Sequence, residues 1–330
     1  MTTNKQVLLA SRPTGWVEES NFRIAEVPVP KPGDGEVLLK AGYLSLDPYM
    51  RGRMNEKSYA ATVDIGGVMT GQVVGEVIES KNSKFKPGDT VTAYTGWQQY
   101  AISDGTGMRV VDPRIVPVSA YLGTVGMPGV TAWYGLLKIG EPKAGETVVV
   151  SAAAGAVGSV VGQIAKIMGC RAVGVAGGRQ KCEYGVKELG FDACIDHRSD
   201  NLAEALAEAT PKGIDVYFEN VGGPLLDLVL ARCNPFARLP ICGMIADYNS
   251  TERYGVKNLI AAVGNRLKLQ GFIISDHTQI WPEALTQLAH WVREGKLKYR
   301  ETITEGLENA PKAFIGLFKG ENFGKQLVKM

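Results

Sequence analysis

The sequence predicts an α/β protein in two parts, a β-rich first part followed by a doubly wound sheet of six parallel strands. Three observations predict it. The chain has 330 residues, too many for one core, so two domains are expected. Up to residue 122 short apolar runs are separated by turn signals, and from about Gly123 the rhythm changes to alternating strand and helix. Inside that second rhythm the stretch ETVVVSAAAGAVGSVVGQIAKIMGC, Glu146 to Cys170, reads strand, glycine turn, helix.

In the first part Phe22 to Val27, Glu36 to Ala41, Gly71 to Ser80, Asp89 to Tyr94 and Tyr100 to Ile102 are the strand candidates. Turns such as Pro30-Lys31-Pro32-Gly33 and Lys86-Pro87-Gly88-Asp89 divide them. This spacing suggests a partly closed barrel. In the second part Thr147 to Ser151, Ala172 to Ala176, Ala193 to Asp196, Ile214 to Phe218, Leu239 to Gly243 and Leu267 to Ile273 read as strands, with a helix over 281–294 closing the set at 123–294. The tail, 295–330, returns to extended character with a short helix at Ala310 to Phe318, as if it packs back on the first part.

Thr147 to Ser151 is β-branched and uncharged, the pattern of a strand buried on both faces. Val157, Val160, Val161, Ile164, Ile167 and Met168 form the apolar stripe of the following helix, and Gly169 is placed to end it. Between them Gly155 lets backbone amides approach a pyrophosphate, and Gly158 lets helix and strand pack closely. The first glycine of the usual G-x-G-x-x-G is Ala153 here, so the motif is partial and rests on its strand and helix context.

Composition narrows the function classes. With 36 basic and 34 acidic residues the net charge is +2, which gives no electrostatic case for nucleic acid or a membrane surface. There is no run of about 18 uncharged apolar residues, and MTTNKQVLLASRP lacks a signal-peptide core, so a cytoplasmic location is expected. The five cysteines, Cys170, Cys182, Cys194, Cys233 and Cys242, are odd in number and scattered, as in a reducing compartment. No His or Cys precedes Cys170, and His197, His277 and His290 lie far apart, so no metal site is expected.

The end of the second Rossmann-type strand selects the cofactor. An NAD site places an acidic residue there for the ribose hydroxyls. This chain instead runs Ala176-Gly177-Gly178-Arg179-Gln180-Lys181, without an acid and with two cations. A 2′-phosphate suits that environment, so the reading is NADP(H), the alternative being a solvated helix end.

The segments DPYMRGRM (47–54), KFKPGDTV (84–91), GMPGVTAWYGL (126–136), SAAAGAVGSVVGQIAK (151–166), YFENVGG (217–223), ICGMIADYN (241–249), LQGFII (269–274) and FKGENFGKQLVKM (318–330) resemble the zinc-independent medium-chain reductases of the leukotriene B4 dehydrogenase, prostaglandin reductase and alkenal (curcumin-type) reductase subfamily. The resemblance covers nearly the whole chain. It implies a GroES-like catalytic domain, a Rossmann domain, NADPH and a homodimer. It places Met127, Pro128 and Thr131 beside the cofactor, with Thr131 near the nicotinamide. Gly155, Ala156 and Val157 would hold the pyrophosphate, and Gly178 and Lys181 the 2′-phosphate end. Asn220, Cys242, Gly243, Ile245, Phe272, Ile273, Ile274 and Asn322 would complete the cofactor cleft, and Tyr49 and Tyr248 would face the substrate. His197 stands where relatives often carry a Tyr for the phosphate.

The chemistry this implies is hydride transfer to the β-carbon of an α,β-unsaturated ketone or aldehyde, with charge developing on the carbonyl oxygen. Tyr248 and a ribose hydroxyl are the expected donors to that oxygen, and Tyr248 or water the proton source for the α-carbon. Tyr49 reads equally as structural or functional, and Arg51 and Arg53 as internal ion-pair partners or substrate contacts. Tyr59, Tyr94 and Trp97 read as an apolar substrate pocket or as core. Two other functions compete with the apolar enone or enal reductase: a quinone reductase of the same fold, and a non-catalytic NADPH-binding sensor.

Overall fold

In the computed structural model, which describes residues 3–330, the first part is built from β1 (Thr3–Leu9), β2 (Phe22–Pro28), β3 (Val37–Ser45), a short helix α1 (Met50–Arg53), β4 (Val73–Ser80), β5 (Thr90–Ala93), β6 (Tyr100–Ser103) and β7 (Arg109–Val110). The second part runs α2 (Met127–Tyr134), β8 (Thr147–Ser151), α3 (Gly158–Ile167), β9 (Arg171–Ala176), α4 (Arg179–Lys187), β10 (Ala193–Asp196), α5 (Leu202–Ala209), β11 (Ile214–Phe218), α6 (Gly223–Leu230), β12 (Cys233–Ile241), α7 (Ala261–Gly264), β13 (Lys268–Gly271) and α8 (Trp281–Arg293). The tail adds β14 (Glu301–Glu305), α9 (Ala310–Lys319) and β15 (Lys325–Lys329).

Contacts divide the chain into two units, one ending at Gly123 and resumed by Glu301–Met330, the other Thr124–Arg300. The segment 295–300, expected with the tail, stays with the second unit. There the Gln163 amide donates to the Lys298 carbonyl at 2.9 Å and accepts the Lys298 N–H at 2.8 Å.

The second unit's sheet has the order β10-β9-β8-β11-β12-β13, every neighbouring pair parallel. All five residues of β8 are buried, as its uncharged run requires, because helices cover both faces. On α3 Val160, Val161 and Ile164 are fully buried, but Met168 at the far end of the stripe is 39 % exposed, since the helix has already closed before Gly169 (φ 76°). A Cβ at Gly158 would lie 2.4 Å from the Ala152 carbonyl oxygen, so only glycine lets α3 approach β8 this closely.

The missing first glycine has a physical explanation. A Cβ at Gly174, on the adjacent strand β9, would lie 2.7 Å from the Ala153 methyl. The space that a glycine usually leaves in the turn is left here by β9 instead. The strained residue is its neighbour Ala152, at φ 52°.

The first unit holds a seven-stranded sheet of order β14-β15-β3-β4-β5-β7, with β6 also paired to β3. The tail is integral to it, because β15 lies between β14 and β3. Its core centres on Trp97, fully buried, stacked on Phe22 at 5.6 Å and edge-on to Phe314 of α9 at 5.5 Å. Trp97 is therefore core and not pocket lining, whereas Tyr59 and Tyr94 are 59 % and 53 % exposed.

Several boundaries differ from expectation. β12 starts six residues before the expected Leu239, because Pro235 is absorbed where its register with β11 shifts. The strand expected over Glu36 to Ala41 continues to Ser45, and that expected over Leu267 to Ile273 shortens to β13. β1 was not predicted.

Candidate active site

Of the expected cofactor residues, all but Asn322 lie in the second unit. The turn after β8 is ordered by its own backbone: the Gly155 N–H donates to the Ala152 carbonyl at 2.9 Å and the Ala153 N–H to Val175 on β9 at 3.0 Å. Among the described residues no acceptor is paired with the N–H of Ala156 or Val157. Two open donors at the positive end of a ten-residue helix form an anion cradle, so the turn fits a pyrophosphate.

The ends of β8, β11 and β12 are tied together by fully buried Glu219 and Ser151. Glu219 Oε1 accepts from Ser151 Oγ (2.9 Å), Tyr217 Oη (3.0 Å) and the Val221 N–H (2.6 Å). Asn220 donates its N–H to Ser151 Oγ and its side-chain amide to the Ser151 carbonyl, each at 2.8 Å, which fixes the side chain. The N–H groups of Cys242 and Gly243 donate to the Glu219 carbonyl at 2.9 and 3.2 Å. Desolvation and the nearby Glu219 push the Cys242 thiol up to about 12, so it is a neutral thiol at physiological pH.

Tyr248 follows the short turn Ile245–Asp247 and is half-buried. Its hydroxyl lies over Gly243, 2.8 Å from where a Cβ would stand, so within this unit Tyr248, Gly243 and Cys242 share the carboxyl end of β12. Met127, Pro128 and Thr131 sit on α2. Buried Thr131 donates its hydroxyl to the Met127 carbonyl at 2.7 Å, leaving its lone pairs to accept. Phe272, Ile273 and Ile274 follow β13, but the Phe272 ring packs against Tyr134 and Phe218 at 5.6 and 6.3 Å.

At the end of β9, Gly178 caps α4 with φ 93°. Asp196 Oδ1 accepts the N–H groups of Gly178 and Arg198 at 2.8 and 3.0 Å, folding the segment after β10 over the glycines. That brings His197 Nε2 to 2.8 Å from a Cβ position at Gly177, with the Arg198 guanidinium at 3.4 to 3.5 Å. Lys181 in the first turn of α4 feels the Arg198 charge. Three cationic or protonatable side chains thus converge where an NAD enzyme would hold a carboxylate, and the site fits a 2′-phosphate. Arg198 was not anticipated, since a lone arginine in a surface turn carries no sequence signal.

In the first unit Tyr49 begins α1, and Arg53 stacks on the rings of Tyr49 (5.5 Å) and Tyr59 (4.3 Å). Burial and nearby Asp47 raise the Tyr49 phenol well above its usual value, so it is a neutral donor. Arg51 is buried and donates to Asn55 Oδ1 at 2.6 Å and the Gly15 carbonyl at 2.9 Å. These contacts hold the loop that carries Tyr49. The loop carrying Tyr49 is anchored by Lys325 of β15, which donates to Asp47 Oδ1 at 2.5 Å and to the Leu46 carbonyl at 2.9 Å. Ser45 Oγ donates to the other Asp47 oxygen. Asn322 donates to the Gly324 carbonyl at 2.8 Å. Among the described residues no three His, Cys, Asp or Glu side chains cluster as metal ligands.

A GroES-like β unit completed by the tail, with a six-stranded Rossmann unit carrying an anion cradle, defines a medium-chain dehydrogenase/reductase. Residues 5–111 match the family model described as the N-terminal domain of oxidoreductase, and 156–290 the one described as zinc-binding dehydrogenase. The NADPH-dependent curcumin reductase of Escherichia coli is 52 % identical over 99 % of this chain and 97 % of its own. The NADP(+)-dependent 2-alkenal reductase of Nicotiana tabacum is 42 % identical over the same shares. The crystal structure of CurA from Vibrio vulnificus in complex with NADPH superimposes with a TM-score of 0.94 at 48 % identity, covering 99 % of each chain. The chain belongs to the family of the curcumin and 2-alkenal reductases.

Proposed function

We propose that this protein reduces the C=C bond of α,β-unsaturated ketones and aldehydes with NADPH. The observation that carries the reading is near-full-length identity of 52 % with an NADPH-dependent curcumin reductase, supported by the cation cluster at the end of β9. NADPH supplies the hydride that the β-carbon receives. The chain's own residues do the rest. Ala156 and Val157 N–H groups and the Lys181 cluster bind the two phosphate regions, Asn220 and Thr131 present fixed acceptors, and Tyr248 donates its hydroxyl to the carbonyl oxygen as charge develops there. Tyr248 or water then protonates the α-carbon. The assignments of Tyr49 to substrate and Asn322 to cofactor rest on the family pattern, with the neutral Tyr49 phenol as a chemically suitable donor. NADPH oxidation measured against a panel of enones, enals, benzoquinones and ketones tests the proposal. Turnover of quinones in preference to enones would replace it with a quinone reductase, and binding without turnover of any of them with a sensor.

We further propose a cytoplasmic homodimer. Five free thiols support the reducing compartment, and no helix among the described residues is long and apolar enough to cross a membrane. β13 is one of the two edge strands of the second unit's sheet, and near it Ile260 and Val263 are 77 % and 74 % exposed, with Phe236, Leu259 and Leu269 also exposed. An unprotected edge next to an apolar patch suits pairing with a second copy. Light scattering of the wild type and of Ile260→Asp/Val263→Asp tests this, with a wild-type monomer refuting it.

A further inference from the structure

Resting on the NADP(H) reading above, a second property follows from the residues around Gly177 and Gly178. We propose that Arg198 and His197 join Lys181 as ligands of the 2′-phosphate, His197 binding it as the imidazolium, so that NADPH binding takes up a proton and NADH binding does not. The groups come from two elements. Lys181 belongs to α4, and the segment after β10 is folded over the glycines by the two N–H donations to Asp196. That fold puts His197 Nε2 and the Arg198 guanidinium over Gly177, at 2.8 and 3.4 Å from a Cβ position that glycine leaves empty, and keeps Arg198 Nη1 3.8 Å from the same position at Gly178. Any larger residue at Gly177 would fill the space where these groups meet.

The charged groups facing His197 are Arg198 and Asp196 from its own segment and Lys181 from α4. β9, packed beside it, ends in glycines and offers only backbone. Without a phosphate, desolvation and then the Arg198 charge hold the imidazole below its usual value, Asp196 only partly opposing them. A phosphate dianion placed among the three groups reverses the balance, because it neutralises Arg198 and pairs with the imidazolium directly. The folded, phosphate-bound form therefore has the higher affinity for the proton. Through the imidazole, affinity for NADPH is greatest at low pH and falls as pH rises through the window between the free and bound values. The ionisation of the phosphate itself, near about pH 6, acts in the opposite direction, and a variant lacking the imidazole isolates that effect.

The test uses the full-length protein and binding, not turnover. Dissociation constants for NADPH and NADH are measured by fluorescence titration between about pH 5 and 8, the range in which histidines change charge. Calorimetry in two buffers of different ionisation enthalpy then counts protons taken up. The wild type is expected to lose NADPH affinity by roughly three- to tenfold more than His197→Gln across that range, and to take up more protons on binding. Arg198→Ala is expected to weaken NADPH binding by about tenfold or more, as for a charge-assisted phosphate contact. It should leave NADH binding within twofold, while Arg198→Lys recovers part of the loss. Identical pH slopes and proton counts for wild type and His197→Gln would overturn the role of His197. Arg198→Ala within twofold of wild type, or weakening NADH equally, would overturn that of Arg198. A wild type binding NADH as tightly as NADPH would overturn the cofactor reading itself and the proposal with it.

Discussion

Replacing Lys325 by Met removes an ammonium whose side chain is 5 % exposed and whose partner Asp47 is 7 % exposed. In the low-dielectric interior of the first unit the loss is not confined to one contact. Asp47 retains the Ser45 hydroxyl but loses the 2.5 Å donor that balances its charge, and the Leu46 carbonyl loses its donor at 2.9 Å. Leaving one member of a buried pair uncompensated costs about 3 to 5 kcal/mol, and we expect the lower half of that range because Ser45 remains. At about 2 to 4 °C per kcal/mol for a unit of this size, the melting temperature should fall by roughly 6 to 16 °C. The decisive comparison is Asp47→Leu/Lys325→Met, which removes both charges and should recover at least half of the lost stability, since apolar replacement of a buried pair is often neutral or better. Urea denaturation and calorimetry on the three proteins measure this. A single variant within about 1 kcal/mol of wild type, or a double variant no more stable than the single one, would refute the reasoning that the charges are desolvated and mutually dependent.

Tyr248→Phe should lower kcat and kcat/KM together by roughly tenfold to a hundredfold with NADPH affinity nearly unchanged, because the hydroxyl acts on developing charge; steady-state kinetics within twofold of wild type on several enones would return Tyr248 to a wall of the pocket. Lys181→Ala should raise the KM for NADPH much more than for NADH, by the equivalent of about 1.5 to 3 kcal/mol; equal effects on both cofactors would show that Lys181 does not meet the phosphate. Gly174→Ala should destabilise the second unit by about 1 to 3 kcal/mol through overpacking against Ala153 and the Phe191 ring, and adding Ala153→Gly should restore only part of it, as read from denaturation midpoints.

What was legible in the sequence is what local physics controls. β8 and α3 were readable because a strand buried on both faces must be uncharged and a helix on a sheet must carry a stripe, and Gly155 and Gly158 mark the turn between them. What was not legible depends on partners distant in the chain. β1 begins TNKQ, a polar stretch, and is a strand because it pairs with β2 and because Asn4 bonds the backbone of Tyr100 on both sides. The tolerance of Ala153 is explained only by Gly174 on the next strand, and the destination of Trp97 only by Phe314 in the tail. For the site, Lys181 could be read from the missing acid after β9, whereas Arg198 reaches the same place only through Asp196 and the fold of the segment after β10.

The strand β15, inserted between β14 and β3, has a consequence for how the molecule is made. On the ribosome the first unit emerges early, yet β3 waits for β15 until 280 further residues, from Ser45 to Lys325, have been synthesised, on the order of 15 to 55 s at ordinary elongation rates. The second unit, continuous in the chain from Thr124 to Arg300, can close during that interval. For that time the Tyr43–Ser45 end of β3 offers a bare strand edge and Asp47 has no lysine. The nascent chain is therefore most exposed to mispairing and to chaperone capture in its earliest-made part, and the first unit matures last.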